Sequence, residues 1–256
     1  MLCSNVMELI EQIAPPHTAL SFDNIGLLVG SKNMQLQSIL LALDITNNVI
    51  DEAIHLGANL IITHHPFIFS SIKNITTNSH VGRMAIKLIK NDIAVFTAHT
   101  NLDISSIGTN ATLFDMLNLT NKRLILEEIG LGLIGSTAPT TLEAYATYVR
   151  DLFKVESMRY IGEKNHKICT VGISTGAFDR TIINIAKDKN CDVLITGDVK
   201  YHDAHEAIAS GLALIDATHY ATENIVLPSL KKYLKAHMPS VKVAISTVNL
   251  QPFRPC

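Results

Sequence analysis

Short apolar runs alternate with longer amphipathic stretches along the whole chain. The apolar runs predict buried strands at 38–44, 59–63, 93–98, 167–174, 192–196 and 212–216. The amphipathic stretches predict helices at 47–56, 82–90, 181–189, 202–209 and 223–235. Strands that are apolar on both faces and separated by helices are typical of a sheet with helices on both sides. The pattern therefore predicts an α/β fold.

Two stretches of the second half resemble two stretches of the first. The aligned pairs are GANLIITHHP (57–66) with NCDVLITGDV (190–199), and AVFTAHTNLD (94–103) with ALIDATHYATE (213–223). The second pair sets His99 opposite His219. It also places an acid four residues after each histidine, Asp103 and Glu223. Repetition at this spacing indicates two similar α/β lobes produced by duplication.

The division between the lobes is predicted in the stretch 118–142. This stretch has weak strand signals and several glycines. The predicted lobes are therefore residues 1–125 and residues 126–256.

Two adjacent histidines, His64 and His65, follow the predicted strand 59–63 directly and precede Pro66. In open α/β folds, ligands bind beyond the carboxyl ends of the strands. Adjacent side chains point in different directions, so the pair suits one imidazole on each of two neighbouring ions. The alternative is two unrelated histidines in a surface loop, but a pair at a strand end favours metal ligation.

Two further pairs of polar residues also follow predicted strands. His219 and Glu223 share a helical face if the first turn is formed, and they can then close on one ion or Glu223 can bridge two. Equally, Glu223 can be a first-turn acid stabilised by the helix dipole, with His219 in a loop. Asp103 can ligate an ion and His99 can ligate or support a ligand, or Asp103 can form turn hydrogen bonds.

The polar residues His202, Asp203, His205 and Glu206 fall on a predicted helix. A solvated helix face is the favoured interpretation of such a group. The alternative is that residues 200–202 line a substrate entrance.

Composition narrows the class of protein. The 256 residues carry 21 Lys plus Arg against 23 Asp plus Glu, a net charge of -2, which argues against a nucleic-acid-binding surface. No apolar run approaches the roughly 20 residues of a membrane-spanning helix, and the first residues lack the basic segment of a signal peptide. We therefore expect a soluble, cytoplasmic protein. P-loop, Rossmann and serine-hydrolase motifs do not occur.

With these residues in view, the chain resembles the GTP cyclohydrolase 1 type 2 homologs, a family also described as dinuclear metal centre proteins. The matching segments are APPHTALSFDNIGLLVG (14–30), LALDIT (41–46), GANLIITHHPFIF (57–69), AHTNLD (98–103), GTNATLFDMLNL (108–119), ITGDVKYHDA (195–204), HYATE (219–223) and PF (252–253). The length matches the short form of the family, which lacks an inserted central domain. The chain has Phe22 where the family commonly has Trp, and Thr218 where it often has Gly. It has Asp198, Tyr201 and His202 where many members have one Glu and two His.

The resemblance implies two similar α/β lobes with a dinuclear metal site in the cleft between them. The implied metal ligands are His64, His65, Asp103, His219 and Glu223, with His99 close to the ions but outside the ligand set. It also implies a homo-oligomer, a hexameric ring. Histidine and carboxylate ligands suit two divalent ions of Zn, Fe, Mn or Co. Because no motif of the established GTP cyclohydrolases occurs, ring opening of GTP is not predicted.

Two functional hypotheses of different class follow. The first is a metal-dependent hydrolase that acts on a phosphoester or nucleotide-like small molecule, with His99 or His202 shuttling protons. The second is a metal-carrying oligomeric scaffold or regulatory protein without turnover.

Overall fold

The predicted elements form largely where the hydrophobic pattern placed them. In the computed structural model, which describes residues 1–254, the strands are β1 (Gly26–Val29), β2 (Ser38–Ala42), β3 (Leu60–Thr63), β4 (Ala94–Thr97), β5 (Thr120–Leu126), β6 (Leu131–Thr141), β7 (Arg159–Ile161), β8 (Lys167–Ala177), β9 (Val193–Gly197), β10 (Ala213–Asp216) and β11 (Lys242–Ile245). The helices are α1 (Cys3–Ile13), α2 (Asn47–Leu56), α3 (His80–Lys90), α4 (Thr100–Asp103), α5 (Thr109–Met116), α6 (Leu142–Phe153), α7 (Ile182–Asp188), α8 (Tyr201–Ser210), α9 (His219–Asn224) and α10 (Val226–His237), with a 3₁₀ turn at Pro16–Thr18. The α/β fold class is confirmed. No helix within residues 1–254 is long and apolar enough to cross a membrane.

Local sequence explains where the helices begin and end. The Thr46 side chain accepts a hydrogen bond from Val49 N and caps α2, and Gly57 ends that helix in the left-handed conformation with φ 65°. Ser79 caps α3 in the same way, through Gly82 N.

The first compact unit comprises Met1–Ile107 and Val226–Leu250. Its sheet has the strand order β1-β4-β3-β2-β11, with β4, β3, β2 and β11 parallel and β1 antiparallel at the edge. Alternate residues of the central strands pack on opposite faces: one face meets α1 and α10, and the other meets α2 and α3. This two-sided burial is the reason that these strands are continuously apolar.

The second unit comprises Gly108–Ile225 and the segment that starts at Gln251. Its sheet has the order β5-β6-β8-β9-β10-β7, with a parallel centre of β8, β9 and β10 and antiparallel strands at both sides. Helices α5 and α6 pack on one face, and α7 and α8 pack on the other.

The division between the units differs from the predicted boundary at 125/126. The stretch 118–142 contains the antiparallel pair β5 and β6, which belongs to the sheet of the second unit. At the C-terminus, β11 pairs in parallel with β2 of the first unit. Four residues of β5 are exposed, so its sequence carries little of the apolar signal that marks a buried strand. The last residues of the predicted second lobe, 255 and 256, lie outside the described part of the chain.

The predicted helix 223–235 is two helices in the structure. Helix α9 ends at Asn224, and α10 starts at Val226. Pro228 lacks the N–H that a continuous helix would need to bond the Asn224 carbonyl, which explains the interruption. As a result Glu223 lies near the end of α9. The alternative interpretation of Glu223, an acid stabilised by the helix dipole, requires a position in the first turn of a helix.

Candidate metal centre

Three histidines of the first unit lie just beyond the ends of two neighbouring parallel strands. Thr63 and Thr97, the last residues of β3 and β4, are paired in register. His64 and His65 follow Thr63 directly, and His99 follows Thr97 by two residues. The prediction that these side chains follow strand ends is confirmed.

The three rings of His64, His65 and His99, here called the histidine cluster, are in mutual contact. Their centroids are 5.1 Å apart for His64 and His65, 5.1 Å for His64 and His99, and 5.6 Å for His65 and His99. One nitrogen of each ring lies within 4.8 Å of the others. Asp103 joins the cluster, with its Oδ1 3.4 Å from Nε2 of the buried His64.

Each ring of the histidine cluster is fixed through its Nδ1 atom. Nδ1 lies 3.1 Å from the Ala98 carbonyl oxygen in His64, 2.8 Å from Asp44 Oδ1 in His65 and 2.9 Å from Asp23 Oδ1 in His99. A carbonyl oxygen only accepts, so His64 Nδ1 is the donor in this contact, and Nε2 is the nitrogen that faces Asp103. A ligating histidine almost always donates its second N–H to a carboxylate or carbonyl in this way.

Asp23 is the most firmly held of these carboxylates. Its side chain is fully buried, and it also accepts hydrogen bonds from Thr100 N at 3.1 Å and Thr100 Oγ1 at 2.6 Å. Burial alone raises the pKa of this carboxyl, but hydrogen bonds from His99 and Thr100 outweigh burial and lower the pKa to about 2. Asp23 is therefore a fixed negative charge that orients His99.

His219 and Glu223 of the second unit, here called the His–Glu pair, lie on helix α9. His219 Nε2 is 2.9 Å from Glu223 Oε2, and His219 Nδ1 is 2.7 Å from Asp198 Oδ2. The Glu223 side chain is buried. Asp198 follows β9, and His219 follows the neighbouring parallel strand β10. A carboxylate thus also lies at Nδ1 of His219, the histidine that the repeat aligns with His99, although Asp198 itself aligns with His65 and not with Asp23.

Two glycines leave the space that the His–Glu pair occupies. A Cβ at Gly176 would overlap Glu223 Oε1 and approach His219 Nε2 to 3.6 Å. A Cβ at Gly197 would overlap the His219 backbone. Because Gly176 and Gly197 have no side chain, the buried Glu223 carboxylate can lie directly against the backbone and close to His219.

Thr218 holds the backbone before His219 in a strained conformation, with φ 70° and ψ 146°. Four hydrogen bonds oppose the strain. Thr218 N donates to Asp216 Oδ1, and Thr218 oxygens accept from Ala221 N, Thr222 N and Thr222 Oγ1.

We expect Thr218→Ala to lower the free energy of unfolding by about 1 kcal/mol, because it removes the helix cap and keeps the strain. Thr218→Gly should be at least as stable as the parent, since glycine relieves strain of about 1–3 kcal/mol and loses only a few tenths as a cap. Urea unfolding of both variants measures this. An alanine variant as stable as the glycine variant would show that Thr218 is unstrained.

The polar residues His202, Asp203, His205 and Glu206 lie on α8 as predicted. Both histidines are exposed and contact the Tyr201 ring, and Glu206 forms an ion pair with Arg180 at 3.0 Å. Within residues 1–254 they join no group of metal donors. These contacts agree with the favoured interpretation, a solvated helix face.

The donor chemistry fits a divalent cation. Imidazole nitrogens and carboxylate oxygens are the ligands of Zn, Fe, Mn and Co, and bonds of about 2.0–2.2 Å need donor atoms about 3–4 Å apart. The 2.9 Å between His219 Nε2 and Glu223 Oε2 and the 3.4 Å between His64 Nε2 and Asp103 Oδ1 meet this requirement.

Comparison with known proteins agrees with the fold and with these motifs. The family model of Duf34/NIF3 (NGG1p interacting factor 3) matches residues 1–252. The chain belongs to the NIF3 family. A Clostridium perfringens relative named GTP cyclohydrolase 1 type 2 homolog is 36% identical over 261 residues, covering 99% of each chain. A Bacillus subtilis relative of the same name is 25% identical over 363 positions. This NIF3-family chain therefore has the short form that its length predicted.

Solved structures share the fold. A Bacillus cereus protein related to NIF3 superposes with a TM-score of 0.92 at 26% identity, covering 100% of this chain and 99% of that one. A hypothetical protein of Staphylococcus aureus gives a TM-score of 0.92 at 30% identity, with the same coverage. Both similarities extend over the whole chain.

Proposed function

We propose that this NIF3-family chain binds two divalent metal ions through His64, His65, Asp103, His219 and Glu223. One observation carries the proposal. In His64, His65 and His219 a carboxylate or carbonyl oxygen engages Nδ1, which orients Nε2 as the ligand atom. Such second hydrogen bonds are typical of ligating histidines. The five residues exceed what one tetrahedral ion needs, which supports two ions.

We propose further that the chain is a hydrolase of phosphoesters or nucleotide-like molecules. Two divalent ions supply Lewis-acid activation of water and stabilise the developing negative charge. The protein would contribute a proton acceptor in His99. Asp23 engages His99 Nδ1, so Nε2 is the nitrogen that can take or give a proton. The His99 ring is in contact with the rings of His64 and His65, which supports a role for His99 next to the proposed ligands.

The hydrolase proposal is tested by turnover. Protein reconstituted with Zn, Fe, Mn or Co is assayed on phosphomonoesters, phosphodiesters and nucleotides, with the Glu223→Gln variant as the matched control. Metal-dependent hydrolysis that the variant loses supports the proposal. Intact metal binding without turnover on any substrate would favour the metal-carrying scaffold instead.

We also propose that the chain forms a homo-oligomer, a hexameric ring. Several large apolar side chains are exposed, among them Phe22 and Phe69, which are 62% and 54% exposed and whose rings meet edge to face with centroids 6.3 Å apart. Apolar surface of this kind favours burial against another copy. Sedimentation should give six times the 28.0 kDa of the chain. A monomer at micromolar concentration would contradict this.

A further inference from the structure

Asp216, the last residue of β10, is a buried carboxylate outside the set of proposed metal ligands. The residue is 3% exposed and lies at the carboxyl end of its strand, three residues before His219. A buried charge is unfavourable unless it is paired and hydrogen-bonded. The partners of Asp216 therefore indicate what the residue stabilises.

Both oxygens of Asp216 accept hydrogen bonds from the backbone beside the His–Glu pair. Oδ1 accepts from the N–H of Thr218, the residue before His219, at 3.2 Å. Oδ2 accepts from the N–H of Val199, the residue after Asp198, at 3.3 Å. One carboxylate thus joins the turns that follow the neighbouring parallel strands β9 and β10. These are the turns that carry Asp198 and His219.

Arg159 of β7 supplies the positive charge for Asp216. The two residues are paired in the antiparallel ladder of β7 and β10, and Arg159 Nη2 forms an ion pair with Asp216 Oδ2. The same nitrogen lies 3.4 Å from the Val199 carbonyl oxygen. Both polar groups of the Val199 backbone are therefore engaged, the N–H by Asp216 and the carbonyl by Arg159.

The backbone at both turns adopts a left-handed φ, which is uncommon for residues other than glycine. Asp198 has φ 55° and Thr218 has φ 70°. Sparsely populated backbone conformations persist only where surrounding contacts hold them. Asp216 accepts hydrogen bonds from the Thr218 N–H and from the N–H that follows Asp198, so it stabilises both turns.

The first unit has a different residue at the equivalent position. The repeat places Asp216 opposite Thr97, the last residue of β4, whose hydroxyl is hydrogen-bonded to that of Thr63 at 2.9 Å. His99 follows Thr97 by two residues, whereas His219 follows Asp216 by three. The second unit therefore has a longer turn at this point, and the aspartate occurs together with the turn that it stabilises.

From these contacts we propose that Asp216 is a positioning residue for the second unit's part of the metal site. It holds the two turns so that the Asp198 carboxylate meets His219 Nδ1, which orients His219 Nε2 toward a metal ion. This inference rests on the proposed metal-binding function, but the geometry that it describes also belongs to the metal-free protein.

Asp216→Asn, which removes one acceptor oxygen and the negative charge, tests the proposal. Competition with a chromophoric chelator should show metal affinity about 10-fold lower, the low end of the range for loss of a hydrogen bond that supports a ligand. Asp192→Asn is the matched control. Asp192 Oδ2 accepts from Cys169 N and Thr170 N at 2.8 Å each, at the opposite end of β9. Both substitutions should lower the Tm, and only Asp216→Asn should lower metal affinity.

Arg159→Gln is a second variant that does not depend on a substitution in the core. The Arg159 side chain is 65% exposed, so its replacement removes the ion pair and leaves the core packing intact. Metal affinity should fall in the same direction as in Asp216→Asn, by a smaller factor, because the backbone hydrogen bonds of Asp216 remain. Unchanged metal affinity in both variants would overturn the proposal.

A double-mutant cycle with Asp198→Ala shows whether Asp216 acts through Asp198. The double variant should lose less metal affinity than the product of the two single losses, and a loss equal to that product would contradict the proposal. In the metal-free crystal structure of Asp216→Asn, the 2.7 Å contact between Asp198 Oδ2 and His219 Nδ1 should be broken. An intact contact would overturn the proposal. A parent chain that binds no metal would contradict the proposed function, and the metal-free structure would still decide the role of Asp216.

Discussion

Replacing Gly176 with alanine is expected to remove most bound metal from a chain that still folds. The added Cβ would overlap Glu223 Oε1, and because Glu223 is buried it has little space into which to move. Disturbing a residue that merely supports a metal ligand already lowers affinity about 10- to 100-fold. Displacing a ligand itself should therefore lower affinity by more than about 100-fold. Competition with a chromophoric chelator measures the loss.

Gly211→Ala is the matched control for this prediction. Gly211 has φ 72° against 76° for Gly176, lies in the same unit and has open space around its Cβ position, with Lys187 Nζ 3.8 Å away. Both variants should lose about 1–2 kcal/mol of unfolding free energy, because alanine is strained at positive φ. Only Gly176→Ala should lose metal. Equal metal affinity in the two variants would show that Glu223 is not a ligand.

Replacing His99 with alanine should lower hydrolytic turnover by about 100- to 10,000-fold at saturating metal, as loss of a general acid or base does. Metal content should persist, apart from a decrease in affinity of about 10- to 100-fold. Asp23 holds His99 in contact with His64 and His65. The resemblance to the GTP cyclohydrolase 1 type 2 homologs implies that His99 lies outside the ligand set. Steady-state kinetics with parallel metal analysis measures both quantities.

His55→Ala is a suitable control, because His55 is an exposed histidine in the last turn of α2. It should keep both metal and activity. If His99→Ala loses one ion stoichiometrically, His99 is a ligand and the proposed ligand set is wrong. If it keeps full activity with metal, His99 does not move the proton.

The strand ends that carry candidate ligands could be predicted because the information is local. His64, His65 and His99 each follow a short apolar run, and continuously apolar runs indicate strands buried on both faces. The internal repeat also indicates that strands β3 and β4 correspond to β9 and β10. In the structure, both pairs are parallel neighbours.

The carboxylates that orient the histidines could not be predicted in the same way. Asp23 is 76 residues from His99, and Asp44 and Asp198 are each 21 residues from their partners. Such contacts depend on tertiary packing, and a lone aspartate in sequence indicates a turn as readily as a partner for histidine. The only local signal is that Asp44 and Asp198, like the histidines, follow apolar strands.

The antiparallel parts of the fold were also missed for a physical reason. β5 is a largely exposed strand at a sheet edge, so polar residues such as Lys122 and Arg123 are tolerated there. Its sequence therefore lacks the apolar run that indicates a buried strand. The return of β11 to β2 is a long-range pairing that no local pattern encodes.

We propose that five residues, His64, His65, Asp103, His219 and Glu223, hold two divalent ions in each chain. Elemental analysis of the protein after anaerobic reconstitution and removal of excess metal should therefore find two ions per chain. If Glu223 bridges the two ions, Glu223→Ala should lose more metal than Asp103→Ala, because removal of a bridging carboxylate weakens both ions. One ion or none per chain would show that these five residues do not hold two ions.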